Sequence, residues 1–130
     1  MKKVRTIVLF LLLVATLVIA GSRVFSRSRI TCVITNATRE AVTGLTVDVA
    51  GNRASLGTLE AGETRTITLS PRDHAGGVVV EFMLPDGTPK TEVIYGYVES
   101  RHFGGEAHIE IGPEGKVQLR SNSIGLRVLP

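Results

Sequence analysis

The chain holds one cysteine, Cys32, so no disulfide can form within it and stability has to come from an apolar core. Aromatic residues make up only 5% of the sequence, which leaves few side chains for a stacking platform. A basic surplus is missing from the body of the chain, although the formal net charge is +3. Lys2, Lys3 and Arg5 open the sequence with no acid among them, whereas from residue 30 onward 9 basic residues meet 12 acidic ones. A domain with that balance has no cationic excess for phosphate contacts, so no nucleic-acid partner is expected. Beyond residue 22 there is no helical period, no internal repeat and no low-complexity block. At 130 residues the chain is sized for one domain.

What is present begins with an apolar run. Thr6 to Ala20 is uncharged, follows the basic opening, and ends in the small residues Ala20, Gly21 and Ser22. That is the layout of a secretion signal. Arg23, Arg27 and Arg29 follow closely and place positive charge on both flanks, which blurs the orientation rule for membrane segments. Two outcomes are expected of residues 1–22: a signal peptide that is cleaved, or a signal anchor that stays in the membrane through residues 6–21. Residues 23–29 then form a short basic linker, and residues 30–130 form the domain. Both outcomes put that domain outside the cytoplasm. It is either anchored in the inner membrane facing the periplasm or cell exterior, or free in the periplasm or medium.

The clearest strand signal is the stretch Leu56 to Leu69, around which the domain is expected to be organised. Ile67 and Leu69 alternate with Thr66 and Thr68, a period of two with one buried face. Gly62 marks the turn before it, because it can adopt a left-handed backbone. Other alternating stretches are Ile30 to Thr35, Leu45 to Ala50, Val78 to Leu84, Thr91 to Glu99, and Glu106 to Ile111 with Lys116 to Arg120. Breaker-rich loops separate them, at Ser70 to Gly77, Pro85 to Thr88, Ser100 to Gly105 and Gly112 to Gly115. Thr91 to Glu99 is apolar on both faces, which predicts a central strand or a face that meets a partner. The tail from Ile124 through Leu126 to Val128 alternates as well and predicts a final strand. Seven to nine short strands behind one N-terminal hydrophobic helix make the fold class all-β, an antiparallel sandwich.

Candidate chemistry is thin. Cys32 is in phase with Ile30 and Ile34, which predicts a buried thiol. His108 and Glu110 share the outward face of one strand, and His74 or His102 could add a third metal ligand. Surface residues on a wet face are the simpler outcome, so no metal and no cofactor is expected. Ser70, Asp73 and His74 are the residue types of a hydrolytic triad but lack the spacing of one, and no catalytic residue is assigned. Tyr95, Tyr97 and Phe103 are the aromatics that could form a small-ligand or carbohydrate surface; packing in the core is the alternative. Asn36-Ala37-Thr38 is a glycosylation sequon, discounted because the leader has a bacterial look.

The stretch Ile30 to Leu69 resembles bacterial immunoglobulin-like envelope domains of the cell-adhesion-related (CARDB-like) kind. The features are Ile34-Thr35-Asn36 at the end of the first strand, the strand Leu45 to Val49, and Leu56-Gly57-Thr58-Leu59 followed by Ala61-Gly62-Glu63-Thr64. The resemblance covers about a third of the chain and implies a seven-stranded sandwich in an exported protein, with no catalytic residues. Tyr95-Gly96-Tyr97-Val98-Glu99 and the hairpin after it depart from that pattern. The resulting expectation is a non-enzymatic, exported or membrane-anchored interaction or structural module of the cell envelope, whose partner is another envelope protein. The rival is a periplasmic binding module using Tyr95, Tyr97 and Phe103.

Overall fold

A computed structural model of the chain describes the backbone of residues 2–24 and 27–127, with side chains for 2–15 and 27–127. Helix α1 spans Lys2–Val24. Ile7, Val8, Leu9 and Phe10 are 58%, 49%, 67% and 65% exposed. Four consecutive residues point in four directions around a helix, so this stretch has no buried side and is not a core helix. Among the described residues, no helix is long and apolar enough to cross a membrane. The uncharged run Thr6 to Ala20 would extend about 22 Å as a helix, against a hydrocarbon core of about 30 Å.

Among the described residues nine strands follow: β1 (Arg29–Asn36), β2 (Val42–Val49), β3 (Asn52–Leu59), β4 (Thr64–Leu69), β5 (Ala75–Met83), β6 (Pro89–Glu99), β7 (Phe103–Ile111), β8 (Val117–Asn122) and β9 (Gly125–Leu126). They form two sheets. One runs β4-β1-β7-β8, with β9 also on β7; the other runs β3-β2-β5-β6. All pairings are antiparallel except β1 with β7, which is parallel. The fold is a β-sandwich of mixed pairing.

The core comes from one face of each inner strand. Ile30, Cys32 and Ile34 of β1 and Ala107, Ile109 and Ile111 of β7 meet Leu45, Val47 and Val49 of β2 and Val78, Val80 and Phe82 of β5. These are the alternations the sequence predicts, and Cys32 is buried as its phase requires. Burial pushes its thiol pKa up to about 11, because a thiolate in an apolar core loses its hydration.

Pairing and coverage differ from the sequence reading in several places. Leu56 to Leu69 is peripheral: β3 and β4 are the outer strands of different sheets, and the Gly62 turn carries the chain from one sheet to the other. Gly62 does take a left-handed φ of 77°. β6 is an outer strand as well, with Val93 64% and Tyr97 53% exposed. Register shifts opposite Gly76 to Val79 break its alternation, so apolar residues on both faces did not mean two covered faces. Leu119, in phase with Val117, is exposed, since β8 lies at the margin of its sheet after a register shift between His108 and Ile109. The tail folds back on its own chain. Ile124 is buried and Gly125 and Leu126 pair with β7, but Leu126 itself is exposed; Val128 lies outside the described residues. Gly105 makes this return possible. It has φ 125°, and a Cβ there would stand 2.2 Å from the Ser123 carbonyl oxygen, a position no larger residue fits.

Candidate functional site

The loops of a sandwich gather at its two ends, and here the ends differ. β1 runs between them, and it is fastened at both by a buried polar residue. Ser28, just before β1, and Asn36, its last residue, are the buried polar side chains among the described residues. The Ser28 hydroxyl donates to the Glu99 carbonyl at 2.7 Å and accepts from the Phe103 amide at 2.9 Å. This ties the start of the domain to the β6–β7 loop. The Asn36 amide donates to the carbonyls of Glu40 and Leu59 at 2.8 and 2.9 Å, and its oxygen accepts from the Thr38 amide and hydroxyl at 3.0 and 2.6 Å. Both amide hydrogens and both oxygen lone pairs of that side chain are thereby used. The sequon is therefore a structural turn, and its asparagine is closed to a modifying enzyme in the folded domain.

The end away from α1 carries a cleft of about 350 Å³. It is lined by the β1–β2 loop (Thr38, Arg39, Glu40), the β5–β6 turn (Leu84, Pro85, Asp86) and the β7–β8 turn (Pro113, Glu114, Gly115). Leu84 and the prolines give it an apolar floor, with charges around the rim. The turns are held by their own bonds. Leu84 donates to the Thr88 carbonyl at 2.9 Å and Thr88 donates to the Asp86 carboxylate at 2.9 Å. Hydrogen bonds from Thr88 hold the Asp86 carboxyl below its ordinary pKa. Glu114 sits at the rim with a left-handed φ of 61°, a conformation that strains any residue with a Cβ. Nearby, Glu63 is also held below the usual carboxylate range, first by the Glu60 amide and then by Arg65.

The residues singled out from the sequence are dispersed. The His108 ring meets Glu106 at 3.1 Å, while Glu110 takes two bonds of 2.9 Å from Arg120. The Arg120 bonds hold the Glu110 carboxyl below its ordinary range. His74 and His102 lie in loops at the α1 end, away from His108. Among the described residues no group of three or more His, Cys, Asp or Glu side chains could hold a metal. Ser70 and His74 use their carbonyls, not their side chains, to bond Asn52 and Ser100. Tyr97 and Phe103 do meet, with ring centroids 6.2 Å apart, but at 80° to one another. Edge-to-face rings do not make one flat platform. The Tyr97 hydroxyl donates to Glu99 at 2.6 Å, which raises its pKa, and Tyr95 packs against the core.

No protein-family model matches this chain, and no curated protein matches it. Among solved structures, the chain is similar to an NMR structure of a protein from Eubacterium rectale. The match has a TM-score of 0.45 and 19% sequence identity, and covers 75% of this chain and 87% of that one. A likeness this distant bears on neither fold family nor function. The cleft was not readable from the sequence, since its lining comes from three turns far apart in the chain. The one local signal was the density of breakers at Pro85-Asp86-Gly87 and Gly112-Pro113-Glu114-Gly115.

Proposed function

We propose that the chain is a non-enzymatic, exported β-sandwich, held at the membrane through residues 6–21, that presents its far end to another envelope protein. The observation that carries this reading is the placement of the cleft. The apolar segment enters β1 at one end, and the Arg39, Asp86 and Glu114 loops lie at the other, a strand length of about 26 Å away. The unburied apolar side chains of α1 support an environment other than water for that helix, and its basic flanks suit snorkelling at both faces of a segment shorter than the bilayer. The immunoglobulin-like reading is supported by interlocked pairing: β1 and β2 lie in different sheets, while β1 pairs with β4 and β2 with β5. The parallel β1–β7 pair is a departure from it. A small-ligand or carbohydrate site on Tyr95, Tyr97 and Phe103 is the second reading, favoured by the exposure of Tyr97.

Two measurements test the proposal. Mass spectrometry of the mature protein from fractionated cells reads its N-terminus: an intact leader in the membrane fraction is expected, and a free domain lacking residues 1–22 overturns the anchor. Photo-crosslinking from Arg39 or Asp86 in intact cells is expected to capture one protein that crosslinkers at Thr66, on the side of the sandwich, do not. Equal capture from both positions, or none from the cleft, overturns the interaction reading.

A further inference from the structure

Three chain segments meet at the α1 end, and each brings arginine. Arg27 is the antiparallel bridge partner of Arg101. Arg29 pairs with Gly104 across the parallel β1–β7 seam. On the other side Gly104 pairs with Gly125, and the Arg127 side chain lies across Gly104, its Cγ 3.1 Å from where a Cβ would stand. The Arg127 amide donates to the His102 carbonyl. Four exposed arginines are thus gathered on one corner by backbone pairing. The ion pairs of Arg53 with Glu81, Arg65 with Glu63, His108 with Glu106 and Arg120 with Glu110 lie elsewhere. Arg27, Arg29 and Arg127 have no carboxylate partner among them. The carboxylate nearest in sequence, Glu99, accepts from the Tyr97 hydroxyl and keeps its charge. His102, between Arg101 and Phe103, is held at φ 67°, a strain that needs surrounding structure to maintain it.

We propose that this corner binds the phosphate headgroups of an anionic lipid leaflet. The inference rests on the reading that residues 6–21 enter the bilayer. Three peptide units separate Val24, the end of α1, from Arg27, so their Cα atoms can be no more than about 11 Å apart. A helix end at the interface therefore brings the corner within about one Debye length of the headgroups. Guanidinium groups suit the task because each presents a planar fork of donors to phosphate oxygens. The count of charges along the chain conceals the site: Arg27 lies just before β1 and Arg29 begins it, and the other two arrive from the β6–β7 loop and the tail.

The test uses the full chain in vesicles of phosphatidylcholine, with and without phosphatidylglycerol. Amide exchange at residues 99–104 and 123–127 is expected to slow by at least about fivefold in the anionic vesicles, the effect of one basic residue at such a surface. High salt should remove the effect. So should the variant R27Q/R29Q/R127Q, which leaves Arg101 in place. Association with both vesicles but no lipid-dependent protection overturns the inference and leaves the membrane reading standing. Association with neither overturns both. The same protection from inorganic phosphate, or from an oligonucleotide without vesicles, overturns the assignment to lipid.

Discussion

The two ends of the sandwich are built on opposite plans, although the same strand runs between them. At the far end Glu40, Asp86 and Glu114 are exposed around a cleft, with Arg39 among them and Lys90 acting on Asp86. At the α1 end four arginines crowd one corner. At the far end Thr38 closes on Asn36 and Thr88 on Asp86 within their own turns, although Asn36 also reaches the Leu59 carbonyl and Ala37 the Ile111 carbonyl. The α1 end is held by long-range bonds, since Ser28 reaches Glu99 and Phe103, and the tail crosses β7 at Gly105. Locally closed loops can vary in sequence without disturbing the strands, which suits a surface that recognises a partner. An end stitched from distant segments cannot vary so freely.

That contrast can be broken most severely at Gly105. Gly105→Ala is expected to cost about 3–4 kcal/mol, from strain and from overlap with the Ser123 carbonyl. Amide exchange should show the loss centred on residues 123–127, with the Asn36 loop unaffected. Protection that falls at both ends together would show that the ends are not independent. At the far end, Asn36→Ala removes the side-chain bonds to the Leu59 carbonyl and from the Thr38 amide and leaves the Glu40 carbonyl with the Thr38 hydroxyl, and about 3 kcal/mol is expected from chemical denaturation. Ser28→Ala removes two bonds, with about 1–2 kcal/mol expected. An equal cost for the two would contradict the larger role given to Asn36.

Cys32 lies midway along β1 and reports on the sandwich as a whole. Its folded pKa of about 11 is raised above the ordinary thiol value of about 9. Its contribution is therefore fully present below pH 9 and lost as pH rises from 9 through 11. Over that window the native protein should lose about 2–3 kcal/mol more than Cys32→Ala does. Parallel alkaline curves for the two proteins would mean that the thiol is not buried. The smallest expected effect is at the cleft rim. Glu114→Gly relieves a left-handed backbone and should stabilise by about 0.5–1 kcal/mol; a lower melting temperature would show that the Glu114 side chain holds the turn.

Much of the strand layout was legible in the sequence, because burial on one face of a strand is a local, period-two property. Val78, Val80 and Phe82, or Ile30, Cys32 and Ile34, declare their shared face without reference to any other strand. The apolar leader and the Gly62 turn are legible for the same reason. The candidate sites were not. Both are made of residues from separate loops, and nothing in the spacing of Arg27, Arg101 and Arg127 foretells that they meet. Tertiary structure also decided which apolar residues stay wet. Val93, Leu119 and Leu126 have the right period, but no second layer covers them. It decided that Asn36 is buried and satisfied, because its partners at Glu40 and Leu59 arrive from β2's loop and from the other sheet. Alternation tells a side chain which way to point; what it meets there depends on which distant strand pairs alongside, and that choice is made by the packing of the whole sandwich.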